Sequence, residues 1–119
     1  MTLTAEQLQE IGDAREVTIE TRRGDRVSGT VIWVVVAGDD VYVRSVRGES
    51  GRWYQRAVVD PEVALRVSDA RLEFTAVPAN DPDSIESVSE ALRQKYRGRS
   101  LENMLRVETL GTTLRLDPR

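Results

Sequence analysis

The sequence predicts a mainly β domain of the α+β kind, about six antiparallel strands closed into a small barrel or curled sheet with short helices packed at its mouth. Three observations predict it. Short alternating or continuous apolar runs recur along the chain between Gly and Asp turns. Most strand-to-strand connections are too short for the crossovers that a parallel sheet needs. At 119 residues the chain fits one domain, residues 1–119, and no linker, repeat or low-complexity tract divides it.

Each element has a local reason. Thr4 is placed as an N-cap, with Gln7 at the capping-box position and Leu3 set to staple against Leu8, so a short helix starts the chain and Gly12 ends it. "REVTIETRR" then alternates Val17, Ile19 and Thr21 against Thr18, Glu20 and Arg22, the period of a half-buried strand. A turn at Gly24-Asp25 leads into "VSGTVIWVVVA". That run is apolar on both faces from Val31 to Ala37, which predicts one central strand covered on both sides, with a bulge or close approach at Gly29. "GDD" turns into "VYVRSV", completing a predicted three-stranded meander. A short helix, "WYQRAVVD", stops at Pro61, and two strands follow, with Val63, Leu65 and Val67, then Leu72, Phe74 and Ala76, facing inward. Asp81 as N-cap, Pro82 at the first helical position and Gly98 just past the end delimit the longest helix. Ile85, Val88, Leu92 and Tyr96 form its buried stripe. Ser100 is placed to cap one more short helix, and "TTLRL" closes the sheet.

Composition removes several chemistries. The chain has no histidine and no cysteine, which excludes disulfides, thiolate catalysis, most zinc sites and any Ser-His or Cys-His nucleophile within it. Its net charge of −3 disfavours nonspecific nucleic-acid binding, which wants a basic face. No apolar run approaches the roughly 20 residues of a membrane span, and "MTLTAEQLQE" lacks a signal-peptide pattern, so a cytoplasmic location without membrane association is expected.

One segment reverses the overall charge. "RSVRGESGRWYQRAVVDP", residues 44–61, carries Arg44, Arg47, Arg52 and Arg56 against the single acid Glu49 before its helix ends, and sets Trp53-Tyr54 among them. Arginine forks and glycine-freed amides are donors for phosphate or carboxylate, and an aromatic pair can stack on a flat body. A planar anionic small molecule would use that combination. A solvated rim of ion pairs to Asp39, Asp40 or Glu49 would use the same arginines differently, with Trp53 plugging the barrel end. Trp33 is read as core.

On these residues the chain resembles the bacterial family called domain of unknown function 2255, through "VIWVVVAGDDVYV", "RSVRGESGRWYQRAVVDPEVALRV" and "TTLRLDP", over about Leu8 to Pro118. More distantly, the strand, Gly-containing loop, Trp-Tyr and "P-E-V" order is similar to the deazaflavin-dependent nitroreductases, which are flavin-binding split β-barrels. The resemblance implies a six-stranded split barrel with short helices at the N-terminus, after the third strand and near the C-terminus, and a homodimer. It implies FMN or a deazaflavin at the barrel mouth, lined by Ser45, Arg47, Gly48, Trp53 and Tyr54. Arg22, Arg23, Arg44 and Arg56 are then candidates for phosphate contacts. The relatives' Gly-Arg-x-Ser-Gly motif is altered in "TRRGDRVSG", and Arg56 stands where they carry asparagine.

Two functions stay open. One is a flavin- or deazaflavin-dependent oxidoreductase passing a hydride to an organic acceptor, in which the cofactor supplies the chemistry that no His or Cys could. The other is a barrel without cofactor, serving as a non-enzymatic small-ligand binder or interaction module.

Overall fold

The computed structural model describes residues 2–119. Thr4 begins the first helix as its pattern dictates: its Oγ1 accepts from the Gln7 amide at 3.1 Å, and the Gln7 side chain accepts from the Thr4 amide at 2.9 Å. This helix, α1, spans Ala5–Asp13, one residue beyond Gly12. The strands are β1 (Val17–Arg23), β2 (Arg26–Ile32), β3 (Val35–Ala37), β4 (Asp40–Val43), β5 (Glu62–Val67), β6 (Ala70–Pro78) and β7 (Leu114–Pro118). Four further helices are α2 (Arg52–Val59), α3 (Pro82–Lys95), α4 (Arg99–Met104) and α5 (Val107–Leu110).

All seven strands join one antiparallel sheet in the order β2-β1-β5-β6-β7-β4-β3, curled into a half-barrel. The count exceeds the expected six because "VSGTVIWVVVA" is not one central strand. It breaks at Trp33-Val34, and its two pieces, β2 and β3, become the opposite edges of the sheet. The predicted meander is replaced by two hairpins, β1–β2 and β3–β4, held far apart in the strand order.

The break has an identifiable partner. At the end of α3 the Tyr96 hydroxyl accepts from the Val34 amide at 3.4 Å and lies 3.2 Å from the Val34 carbonyl, to which Lys95 Nζ donates at 2.6 Å. Backbone groups that leave the ladder inside a protein must find other partners. Here a phenol and an ammonium provide them. Gly29 is not a bulge either, since β1 and β2 pair in unbroken register through Glu20 and Gly29. Its missing Cβ instead admits the Thr18 side chain, whose Cγ2 would stand 3.1 Å from such an atom.

Two apolar cores flank the sheet. Inside the curl, Ile11, Val17, Ile19, Val41, Val43, Trp53, Ala57, Leu65, Phe74, Leu114 and Leu116 pack together. Behind β3 and β4, Val35 and Tyr42 pack on Val88, Leu92 and Tyr96 of α3 and on Met104. Strand β4 thus places Val41 and Val43 in one core and Tyr42 in the other, the two-residue alternation of a strand covered on both faces. Asp81 caps α3 as expected, accepting from the Ser84 amide at 3.0 Å. Ser100 lies within α4 rather than capping it. The cap position is Gly98, whose φ of 89° favours glycine. No helix among the described residues is long and apolar enough to cross a membrane.

Candidate ligand-binding site

The segment after β4 is positioned by its own hydrogen bonds. Ser45 Oγ donates to the Gly48 carbonyl at 2.8 Å, and the Ser45 amide donates to Thr112 Oγ1 at 3.0 Å. Gly48 has φ 65°, and a Cβ there would stand 2.7 Å from the Glu108 carbonyl oxygen. A Cβ at Gly51 would collide with Ser45 Oγ. Both glycines therefore let a tight 3₁₀ turn, Gly48–Ser50, fold under the α5 backbone and deliver the chain into α2. The turn is a scaffold, and Ser45 and Gly48 are fastened into it.

Around this scaffold the structure separates the candidate arginines into two groups. A cavity of about 480 Å³ is lined by Arg44, Ser45, Arg47, Arg52 and Trp53 on one side. Thr30, Val31, Ile32 and Trp33, the end of edge strand β2 and the break that follows, form another wall, and Ser100 and Met104 of α4 complete it with Glu16. A second hollow of about 760 Å³ lies between the β1–β2 turn and α2, lined by Arg22, Arg23, Arg52 and Arg56 with Gly24, Gln55, Val59 and Asp60. Arg52 lines both. Gly48 and Tyr54 line neither, and Tyr54 packs edge-on to Trp53 with ring centroids 6.3 Å apart.

Arg44 is only 2% exposed and has no acidic partner among the described residues. Its Nε donates to Thr113 Oγ1 at 2.9 Å, Nη1 to Ser89 Oγ at 3.1 Å and the Met104 carbonyl at 3.3 Å, and Nη2 to the Ile85 carbonyl at 3.1 Å. Every partner is neutral. Burial, followed by the repulsion of Arg93, pushes its pKa down to about 10. The guanidinium remains charged near neutrality and uncompensated, so an anion entering the cavity would meet a fixed positive charge behind its wall.

Trp33, expected in the core, is half-buried and lines the cavity. Its ring lies parallel to that of Tyr96, with centroids 3.8 Å apart and planes within 1°. Tyr96 is fixed in turn by donating to the Arg15 carbonyl at 2.7 Å. Trp53 is buried beneath the opposite arginine-rich segment. The ion-pair rim considered above is not what forms: among the described residues no pair joins Arg44, Arg47, Arg52 or Arg56 to Asp39, Asp40 or Glu49. Sequence reasoning missed Trp33, Thr30, Val31, Ser100 and Met104. The only available signal was the Trp in an otherwise aliphatic run.

The fold and the cavity together define a curled antiparallel half-barrel with a ligand-sized hollow beside an edge strand, the architecture of the flavin-binding split barrels. The chain belongs to the family of uncharacterized proteins conserved in bacteria called domain of unknown function 2255, whose pattern matches residues 7–116. No curated protein matches it by sequence. Among solved structures it is similar to an FAD-binding protein from Mesorhizobium loti, at 11% identity and TM-score 0.62 over 100% of this chain and 92% of that one. It is similar to the FAD-binding protein from Mycobacterium smegmatis at 16% identity and TM-score 0.63, covering 99% and 91%. The heme storage protein HutZ from Vibrio cholerae shares the fold at 14% identity and TM-score 0.67, covering 100% and 92%. At these identities the likeness is one of fold.

Proposed function

We propose that the cavity beside Trp33 and Trp53 binds a flavin or deazaflavin and that the protein is an oxidoreductase passing a hydride to a small organic acceptor. The observation that carries this reading is the conjunction of a fixed indole, an apolar wall and an uncompensated buried arginine around about 480 Å³. That volume lies within the roughly 300–1,000 Å³ of small-molecule sites. The donor set fits the group: Val31, Ile32, Met104 and Trp33 suit a planar ring system, and Arg44, Arg47 and Arg52 suit its anionic edge or tail. The two FAD-binding neighbours support the choice. Heme is the weaker candidate, because neither His nor Cys is available here as an axial ligand.

A bound flavin supplies hydride transfer, which this chain's own side chains cannot perform. The chain's residues bind and orient. Trp33, already stacked on Tyr96, offers a wall that needs no ordering on binding, and Arg44 holds positive charge at a set position through its four neutral acceptors. Arg47 and Arg52, both exposed, are free to close on an anionic substituent. Thr30 and Ser100 line the cavity without side-chain partners among the described residues and can orient polar ring edges. Ser45 is committed to the Gly48 carbonyl, so it serves the loop before it serves a ligand.

The open side of this cavity adjoins an unpaired edge strand whose Val27 and Val31 are 55% and 62% exposed. That apolar edge supports a homodimer in which a second copy covers β2. The non-enzymatic reading would keep the cavity and drop the redox chemistry. Titration of the purified protein with FMN and with a deazaflavin, followed by fluorescence quenching, separates them. Micromolar binding of either is the expected result, with loss of about tenfold or more in Arg47→Ala/Arg52→Ala. Binding of neither would leave only the non-enzymatic reading.

A further inference from the structure

We infer that the hollow between the β1–β2 turn and α2 is a second anion site, distinct from the cavity and built for the phosphate or diphosphate group of a second small molecule. Arg52, Gln55, Arg56 and Val59 stand at i, i+3, i+4 and i+7 and so form one face of α2. Facing them are Arg22 and Arg23 at the end of β1. Four arginines thus converge with one carboxylate, Asp60, which already accepts from the Glu62 amide at 3.2 Å.

Nothing in the overall charge forces this. The chain has 20 acidic residues for 17 basic ones, enough to neutralise every arginine locally. Among the described residues six arginines form ion pairs, Arg66, Arg71, Arg93, Arg106, Arg115 and Arg119, and none of them lines either hollow. Glu20, two residues before Arg22 on β1, is taken by Arg71 at 2.8 Å and Arg66 at 3.9 Å. Among the described residues Arg22, Arg23 and Arg52 have no side-chain partner, and like charges at i and i+4, as in Arg52 and Arg56, repel.

Arg56 shows that the corner is organised as well as basic. Its Nε donates to Thr21 Oγ1 at 2.8 Å, and Thr21 is fully buried in β1. That bond ties α2 to the strand carrying Arg22 and Arg23. It also leaves both terminal nitrogens of Arg56 without a protein acceptor among the described residues. Forks of this kind take two oxygens of one phosphate, and several of them answer a dianion or trianion. The hollow is larger than a phosphate, so it admits the rest of a small molecule. The acidic remainder of the surface argues against a nucleic acid, whose backbone would extend beyond this corner.

The two sites share Arg52 alone, so it should be the one substitution felt by both. Inorganic pyrophosphate serves as probe, titrated by calorimetry at constant ionic strength with chloride as control, and FMN is titrated in parallel by fluorescence. We expect saturable one-to-one pyrophosphate binding that falls about tenfold or more in Arg22→Ala/Arg23→Ala, is little changed in Arg47→Ala, and falls in Arg52→Ala. FMN binding should survive Arg22→Ala/Arg23→Ala with less than about a threefold change, and pyrophosphate should not displace it completely. Both replaced arginines are exposed, and an unchanged thermal midpoint establishes that the variant is folded. Absence of pyrophosphate binding above the chloride control, or binding indifferent to Arg22 and Arg23, overturns the inference. Full mutual displacement of FMN and pyrophosphate also overturns it, because these arginines would then hold the cavity ligand's own phosphate. Pyrophosphate binding without FMN binding upholds this site while the flavin reading fails.

Discussion

Arg44 follows Val43 directly, and strand alternation puts it on the face of Tyr42, opposite Val41 and Val43. On a sheet with one wet face that would be a solvent position. Because α3 and α4 cover the face, the guanidinium instead ties together Ile85 and Ser89 of α3, Met104 of α4 and Thr113 before β7. Arg44→Met should fill similar volume yet leave these acceptors without their donor, lowering stability by about 2–4 kcal/mol in urea unfolding. Gly48→Ala imposes both a left-handed backbone on alanine and an overlap with the Glu108 carbonyl, so a loss of about 2 kcal/mol or more is expected by the same measurement. Lys95 gives a pH signature. Burial pushes its pKa down to about 8 from the ordinary 10.5, against a smaller opposite pull from Asp13. Between those values the unfolded chain holds a proton that the folded one has released, so stability rises with pH from about 8 toward 10.5. Unfolding midpoints measured from about pH 7.5 to 9.5 should rise in the parent relative to Lys95→Met, in a chain with no His or Cys to titrate alongside.

At the level of elements, the capped helices α1 and α3 were legible because their signals are local: Thr4 with Gln7, and Asp81 with Pro82, act within one turn. The break between β2 and β3 was not legible. Seven apolar residues from Val31 to Ala37 contain no Gly, Pro or Asn to mark it, and the groups that satisfy Val34 arrive about 60 residues later in sequence. Tyr96→Phe keeps the ring against Trp33 and removes only the hydroxyl. It should cost about 1–3 kcal/mol and raise amide exchange at Val34 without unfolding β1 or β5, measured by hydrogen exchange. Equal protection at Val34 in the variant would show that the break holds without the hydroxyl that accepts from this amide. The candidate site depends on that break, since Trp33 could not line the cavity if the strand ran straight on.

For the whole molecule, the antiparallel half-barrel with helices at its edges followed from patterning and short connections, while the strand order did not. Each strand's identity is written in its own residues, but pairing partners such as β1 with β5 are chosen by which apolar faces can be buried together. The same limit explains the candidate site: the loop arginines were visible as charges, yet only the curl decides that Arg47 and Trp33 line one cavity while Arg56 joins Arg22 and Arg23 at another hollow. If a second copy covers β2, Val31→Lys should convert a sedimenting dimer to the 13.4 kDa single chain, still folded but with a midpoint that no longer depends on protein concentration.

Strand β7 lies between β6 and β4, and it alone joins β2-β1-β5-β6 to the β4–β3 hairpin. A protein is made from its N-terminus onward, at about 5–20 residues per second. Without residues 114–118 no ladder pairs β2-β1-β5-β6 with the β4–β3 hairpin, and a two-stranded hairpin is too small to persist alone in water. The arginines and tryptophans of the cavity thus precede β7 in the chain, and a nascent chain should assemble the candidate site only once β7 pairs into the seam between β6 and β4.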